Sequence, residues 1–378
     1  MSIKPFKLER YFARYEFNVK YLLSASDCEA LSMEELLQMA SEESLKLWQN
    51  LKLSYTESQG HPLLREEIAR LYEHIKPEQV ITAAPEEAIY ITMHTLLSPG
   101  DHVIAISPAY QSLYEVARSM GCDITPWELK TAMGGWQIDI NQLEKSITNR
   151  TRLLVINFPH NPTGFLPSKQ EFEKIIEIAG RHKIHIFSDE MYRLLEYDAA
   201  DRLPSVCDVY EQGITLSGVS KSFALPGLRL GWLATQESAW IERWLTYKDY
   251  TTICSSAPGE ILGIIALQAK ETIVNRNLAI VRKNLLHAEK FFSIWHQYFD
   301  WITPKGGSIA FPCWTGEKTI DQFCQQVLEQ YGVMIVPSSI FDYPGNHFRI
   351  GLGRENFSEA LSLVAEFMNE QNGAHKPT

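Results

Sequence analysis

Long apolar runs, paired cysteines and an excess of positive charge are all missing from this chain of 378 residues. No run of about 18 apolar residues occurs, so no membrane span and no membrane partner is expected. The opening MSIKPFKLERYFARYEF has no apolar stretch of the secretory kind, so it is not read as a signal peptide. The six cysteines, Cys28, Cys122, Cys207, Cys254, Cys313 and Cys324, form no C-x-x-C pair, and none has a histidine at metal-ligand spacing. They read as reduced thiols, which places the protein in the cytoplasm with no metal centre. Lysine and arginine total 35 against 46 aspartates and glutamates, a formal net charge of -11. Such a balance argues against nucleic acid as the main partner, because a phosphate backbone attracts basic surfaces. There is no internal repeat and no low-complexity linker, and the tail GAHKPT reads as frayed.

What is present is the balance of a globular protein, 45% hydrophobic and 21% charged. The length exceeds one small core, so a large domain and a smaller one are expected. From about residue 80, short apolar runs alternate with amphipathic stretches. HVIAIS (102–107), TRLLVINF (151–158), IHIFSD (184–189), GITLSG (213–218) and LGWLAT (230–235) read as buried strands. QSLYEVARSMG, ending on Gly121, and KQEFEKIIEIAGRH read as helices between them. That alternation predicts an α/β fold, a mostly parallel sheet covered on both faces in three layers. A long helix is expected over roughly 257–295. GSIAFPCW, GVMIVP and HFRIGLG follow as short strands, with helices at about 318–331 and 356–371. These predict a smaller α+β domain, made of 1–44 plus 271–378, beside a large domain at 45–270. In an open α/β sheet ligands gather at the carboxyl ends of the strands.

Six segments near those ends carry residue types suited to one chemistry. SGVSKSFALPGLRLGW puts Lys221 in a polar turn, with Arg229 eight residues later. A lysine that forms a Schiff base must lose its proton, which cationic or desolvating neighbours favour. A nearby arginine can grip a phosphate with two hydrogen bonds. SDEMY sets Asp189 at a strand end and Tyr192 three residues on. Pyridoxal 5′-phosphate (PLP) is an electron sink only while its pyridine nitrogen is protonated, and a buried carboxylate opposite keeps it so. In NFPHNPTG, Asn161 precedes Pro162 and can donate to the cofactor's phenolic oxygen. Tyr110 in SPAYQSLY can stack on a ring. ITAAPEEAIYITMHTLL passes from strand to helix at Pro85, and a helix N-terminus can hold a phosphate. HFRIGLGR buries Arg349 in an apolar strand, where a guanidinium needs an anion such as a substrate carboxylate. Taken singly, each has a plain structural explanation: a surface lysine, a helix cap, a turn, a core aromatic or a structural salt bridge.

Their order along the chain resembles that of the class I/II aminotransferases, the fold-type I PLP enzymes. SYTESQGHPLLREEI adds a Tyr-x-x-x-x-Gly block before Leu-Arg, so the resemblance runs from about Tyr55 to the C-terminus. It implies that Lys221 carries the cofactor and shuttles the proton, and that Asp189 pairs with the pyridinium. It assigns Asn161 and Tyr192 to the phenolic oxygen, Tyr110 to the ring face, and Ser220 and Arg229 to the phosphate. Arg349 would clamp the substrate carboxylate, with Asn161 beside it, and Tyr55 would cross a homodimer interface to the partner's phosphate. The substrates would be an amino acid and a 2-oxo acid.

Two departures from the family pattern affect the site. The phosphate turn, usually glycine-rich, reads AAPEE; Pro85 has no N–H, so donors are expected from the backbone of Glu86 and Glu87 with their side chains turned away. Near the N-terminus, YLLSASDCEAL stands where a glycine turn is usual, and Ser26 and Asp27 occupy the place. Asp27, with Glu16, raises the reading of a cationic substrate side chain, because a buried carboxylate needs a partner. The competing reading is that Asp27 caps the helix of SMEELLQMA and Glu16 caps or faces solvent. Transamination is the expected reaction. β-Elimination, decarboxylation, or oxidation with cyclisation would use the same residues; retention of Arg349 weighs against decarboxylation. A non-enzymatic alternative is a PLP-sensing regulatory module, against which stand the short non-basic segment before Tyr55 and the lack of a helix-turn-helix.

Overall fold

The computed structural model describes residues 2–132 and 134–373. Of the tail GAHKPT, only the glycine falls within the described residues.

Seven strands build the central sheet: β1 Val80–Ala83, β2 His102–Ser107, β3 Asp123–Glu128, β4 Thr151–Asn157, β5 His185–Asp189, β6 Gly213–Gly218 and β7 Gly231–Ala234. They lie in the order β1-β7-β6-β5-β4-β2-β3. Only β7 runs antiparallel to its neighbours. The period-2 alternation of each strand sorts its side chains between two apolar layers. Ile104, Ile106, Leu154, Ile156 and Ile186 share one core with Phe172, Ile175 and Ile178. Val103, Ala105, Leu153, Val155 and Phe187 share another with Ala88, Ile89, Trp240 and Trp244. Helices cover both faces, and the fold is the expected three-layer α/β architecture.

The helices that shape the site and the smaller unit are α1 Lys7–Tyr15, α2 Pro85–Leu96, α3 Ala257–Gln268, α4 Lys270–Ile294, α5 Ile320–Tyr331 and α6 Phe357–Gly373. The single helix expected over 257–295 is two, broken at Ala269, where φ is -90° and ψ 14°. No proline forces the break. Leu262 and Ile264–Leu267 face a core with Leu64 and Ile68, whereas Leu278, Val281 and Phe291 face a different one, and a straight rod does not serve both. That second core joins α4, α5 and α6 around Phe299, Trp314, Phe323 and Phe348. Its sheet pairs Ile309–Ala310 and Val336–Pro337 with Phe348–Gly351, and Tyr21–Leu22 pairs in parallel with Val333–Met334. The N-terminal segment is thereby tied to the C-terminal unit. Among the described residues no helix is long and apolar enough to cross a membrane.

Candidate active site

The carboxyl ends of the sheet open on a cavity of about 550 Å³, closed on its far side by α1, residues 26–30 and the Arg349 strand. On the sheet side, groups at the strand ends fasten one another. Asn157 and Asp189 end adjacent strands in register. Asn157 Nδ2 donates to the Asp189 carbonyl at 2.8 Å, and its Oδ1 accepts from the Asn161 N–H at 2.7 Å. Asn157, which no motif singled out, therefore sets both residues that the sequence did. The Asp189 carboxylate accepts from the Met191 N–H at 3.0 Å. Burial pushes its pKa up to about 7, so it is poised between charge states until a cation arrives.

Past the end of β6, Lys221 Nζ donates to Ser26 Oγ at 2.8 Å. Burial lowers its pKa, Asp27 opposes that, and Arg349 adds to it. The Tyr192 hydroxyl donates to the Ser26 carbonyl at 3.1 Å, and burial raises the phenol's pKa. Ser220 is buried, and its Oγ finds no partner among the described residues. Arg229, in a left-handed conformation with φ 50°, is exposed and donates to the Pro226 carbonyl at 3.0 Å. Tyr110 donates to Glu9 Oε1 at 2.7 Å, and its ring meets that of Phe6 at 4.7 Å.

The AAPEE turn behaves differently from expectation at one of its two glutamates. Glu87 turns away, accepting from the Ala84 N–H at 3.4 Å and from Thr252 Oγ1 at 2.7 Å. Glu86 does not; it lines the cavity beside Tyr110, and burial raises its pKa. Pro85 takes the first helical position, where a missing N–H costs nothing.

On the opposite wall stands Arg349, 1% exposed. Its Nη1 donates to Asn161 Oδ1 at 3.3 Å and its Nη2 to the Ser24 carbonyl at 3.1 Å. Its Nε has no partner, and it makes no ion pair among the described residues. The rings of Phe12 and Phe341 flank it at 5.6 and 5.4 Å. Asp27 requires a correction. Expected to draw its partner from the substrate, it already has one: Arg354 Nη2 lies 3.0 and 2.9 Å from its two oxygens. Nor is Asp27 a helix cap, since Ser32 caps that helix. The close backbone approach also differs: a Cβ on Gly351 would lie 1.7 Å from the Ala25 carbonyl oxygen, and one on Gly353 2.4 Å from that of Asp27. The glycines that seat the 24–29 segment thus sit on the other strand, in GLG. Tyr55 is 85% exposed and does not line this cavity. Sequence reasoning missed Glu9, Phe12 and Arg354; only Arg354, ending the HFRIGLGR run, carried a signal that could have found it.

The residues present fit PLP. Ser220 Oγ and Arg349 Nε are buried polar atoms that find no partner among the described residues, and buried polar groups are normally hydrogen-bonded. Both belong to residues lining the cavity that holds Lys221 and the poised Asp189 carboxyl.

Comparison with known proteins agrees. The capreomycidine synthase of Streptomyces vinaceus is 27% identical over 287 residues, covering 75% of this chain and 73% of that one. An aspartate aminotransferase of Thermotoga maritima is 27% identical over 340 residues, 87% of each chain. Among solved structures, a PLP-dependent aminotransferase from Streptococcus suis 89-1591 superposes with a TM-score of 0.91 at 28% identity over the full length of both chains. The PLP-dependent cyclase OrfR superposes with a TM-score of 0.89 at 25% identity, covering 98% of each. The family model for aminotransferase class I and II matches residues 19–362, nearly the whole chain, and the protein accordingly belongs to that family of PLP-dependent enzymes.

Proposed function

We propose that the protein is an aminotransferase that converts an amino acid into a 2-oxo acid, with its cofactor carried on Lys221. Arg349 carries the reading. A buried guanidinium without an anion is costly, and Arg349 lies in the same cavity as Lys221 and Asp189. The α-carboxylate of an amino acid is the anion that would bring a Cα–H bond to that lysine.

When bound, PLP supplies the electron sink for the carbanion at Cα. Asp189 would hold the ring nitrogen's proton, its own carboxyl ionising beside that cation. Ser220, Arg229 and the N-terminus of α2 would hold the phosphate, Asn161 and Tyr192 the phenolic oxygen, and Tyr110 the ring face. The lowered pKa of Lys221 supports its role as the base that takes the Cα proton and later returns it. Arg349 and Asn161 would orient the substrate. Tyr55, exposed and outside its own cavity, fits a residue that serves the site of a second copy, so a homodimer is proposed. The free cysteines fit a reducing compartment, the cytoplasm.

A PLP-dependent cyclisation is the second reading, supported by the likeness to capreomycidine synthase and to OrfR. One experiment separates the two. The holoenzyme is given single amino acids, with and without a 2-oxo acid, while the cofactor band and products are followed. A transaminase bleaches the band, releases a 2-oxo acid and needs the acceptor to turn over. Turnover to a ring product with no acceptor would replace the first reading by the second.

A further inference from the structure

We infer that the substrate's side chain ends in a cation, an ammonium or guanidinium, held against the carboxylates of Glu9 and Glu16. The inference rests on the amino-acid-enzyme reading above and names the substrate class of that site. Glu9, Phe12 and Glu16 are spaced three and four apart, so they share one face of α1 and its C-cap, and all three line the cavity. Phe12 is the ring beneath Arg349. The backbone positions of Glu9 and Glu16 therefore each lie about one helical turn, ~5.4 Å along the axis, from that of Phe12, beside which the substrate carboxylate would dock. An amino acid anchored there has an acidic group within a side chain's reach in either direction along the helix.

The other carboxylates of the cavity have neighbours of their own. Asp27 is paired with Arg354, which also reaches Glu29. Asp189 matches a ring nitrogen, and Glu86 lies beside Tyr110. Among the described residues Glu9, itself exposed, accepts from the Tyr110 phenol, a neutral donor, and Glu16 makes no ion pair or side-chain hydrogen bond. Burial, Asp27 and Glu9 hold the Glu16 carboxyl above its ordinary range, against the weaker opposing pull of Arg354 and Lys221. The unpartnered Arg349 Nε, with half-buried Glu16 to one side along α1 and exposed Glu9 to the other, describes one ligand, anionic at its α-carboxylate and cationic at its tip. An acidic side chain would meet repulsion from both glutamates.

The test uses the holoenzyme and a donor panel of ornithine, lysine, arginine, norleucine, aspartate and glutamate. A basic amino acid should give the highest kcat/KM, and aspartate and glutamate the lowest. Glu16→Gln or Glu9→Gln should lower the ratio of kcat/KM for the best basic donor to that for norleucine by at least about fivefold. Basic donors no better than norleucine, or a ratio that neither variant moves, would overturn the inference while leaving the amino-acid-enzyme reading intact. That reading fails separately, and takes this one with it, if no amino acid perturbs the cofactor band and borohydride reduction labels no peptide containing Lys221.

Discussion

The two walls of the cavity are built on different plans. On the sheet wall, Asn161, Asp189 and Lys221 lie at or after strand ends, and groups at those ends set the first two: the Met191 N–H for Asp189, and the Asn157 side chain for both. On the facing wall, the side-chain contacts of both arginines join distant parts of the chain. Arg354 reaches Asp27 across 327 residues and Arg349 reaches Ser24 across 325. The same short strand run carries two arginines with opposite fates: Arg354 is satisfied by a carboxylate, and Arg349 is buried without one. On the proposed reading, the chemistry is mounted on the sheet, while the wall built from the two ends of the chain would decide what is admitted.

Changes to the sheet wall should produce the largest effects. Lys221→Ala should cut kcat by at least about 10³-fold, within the range for removing a positioned general base, and abolish the borohydride label on that peptide. A steady-state assay with peptide mapping checks both; a label surviving on another lysine would break the assignment. On the opposite wall, Arg349→Ala should cost roughly 2–5 kcal/mol in kcat/KM, as for truncating one partner of a buried charge pair, and leave the cofactor spectrum in place. Unchanged kinetics would make Arg349 structural.

Subunit mixing addresses the residue that stands outside both walls. Tyr55→Ala and Lys221→Ala chains, each impaired alone, should regain activity on mixing, because a mixed dimer holds one intact site. Failure to recover would contradict a contact across the interface.

The smallest effects concern stability and sharpen the contrast between the arginines. Arg354→Ala should lower stability by about 1–3 kcal/mol by leaving Asp27 unpaired, which thermal unfolding reads directly. Asp189 gives a pH signature in the apoenzyme. Its folded pKa of about 7 lies above the ordinary carboxyl value of 3.8, so the folded state binds the extra proton between those limits. Its contribution is therefore lost as pH rises from about 4 to 7. Asp189→Asn should raise the apoenzyme's Tm above pH 7 and converge with wild type near pH 4. With cofactor bound the order should reverse, since Asn cannot compensate a pyridinium.

Most of the sheet wall could be read from the sequence because strands, turns and caps are local. HVIAIS and GITLSG run over the same residues in the structure, and the helix KQEFEKIIEIAGRH keeps both its ends, starting from a Ser168 cap. The break at Ala269 was not legible, since it reflects which of two cores each half-helix faces. Asp27 misled for the same reason. A carboxylate in SASDCE carries no sign that an arginine far along the chain will close on it.

The sequence by itself determined the α/β alternation and the order of the segments, and it supplied the residues proposed to hold the cofactor. These rest on local periodicity and residue chemistry, which act over a few residues. Only the tertiary structure decided that Asp27 is spent on Arg354, that Arg349 is left without an anion, and that α1 turns Glu9 and Glu16 onto the cavity. Those outcomes depend on burial and on partners far away in the chain, and charge becomes decisive only once folding has removed the water that would otherwise satisfy it.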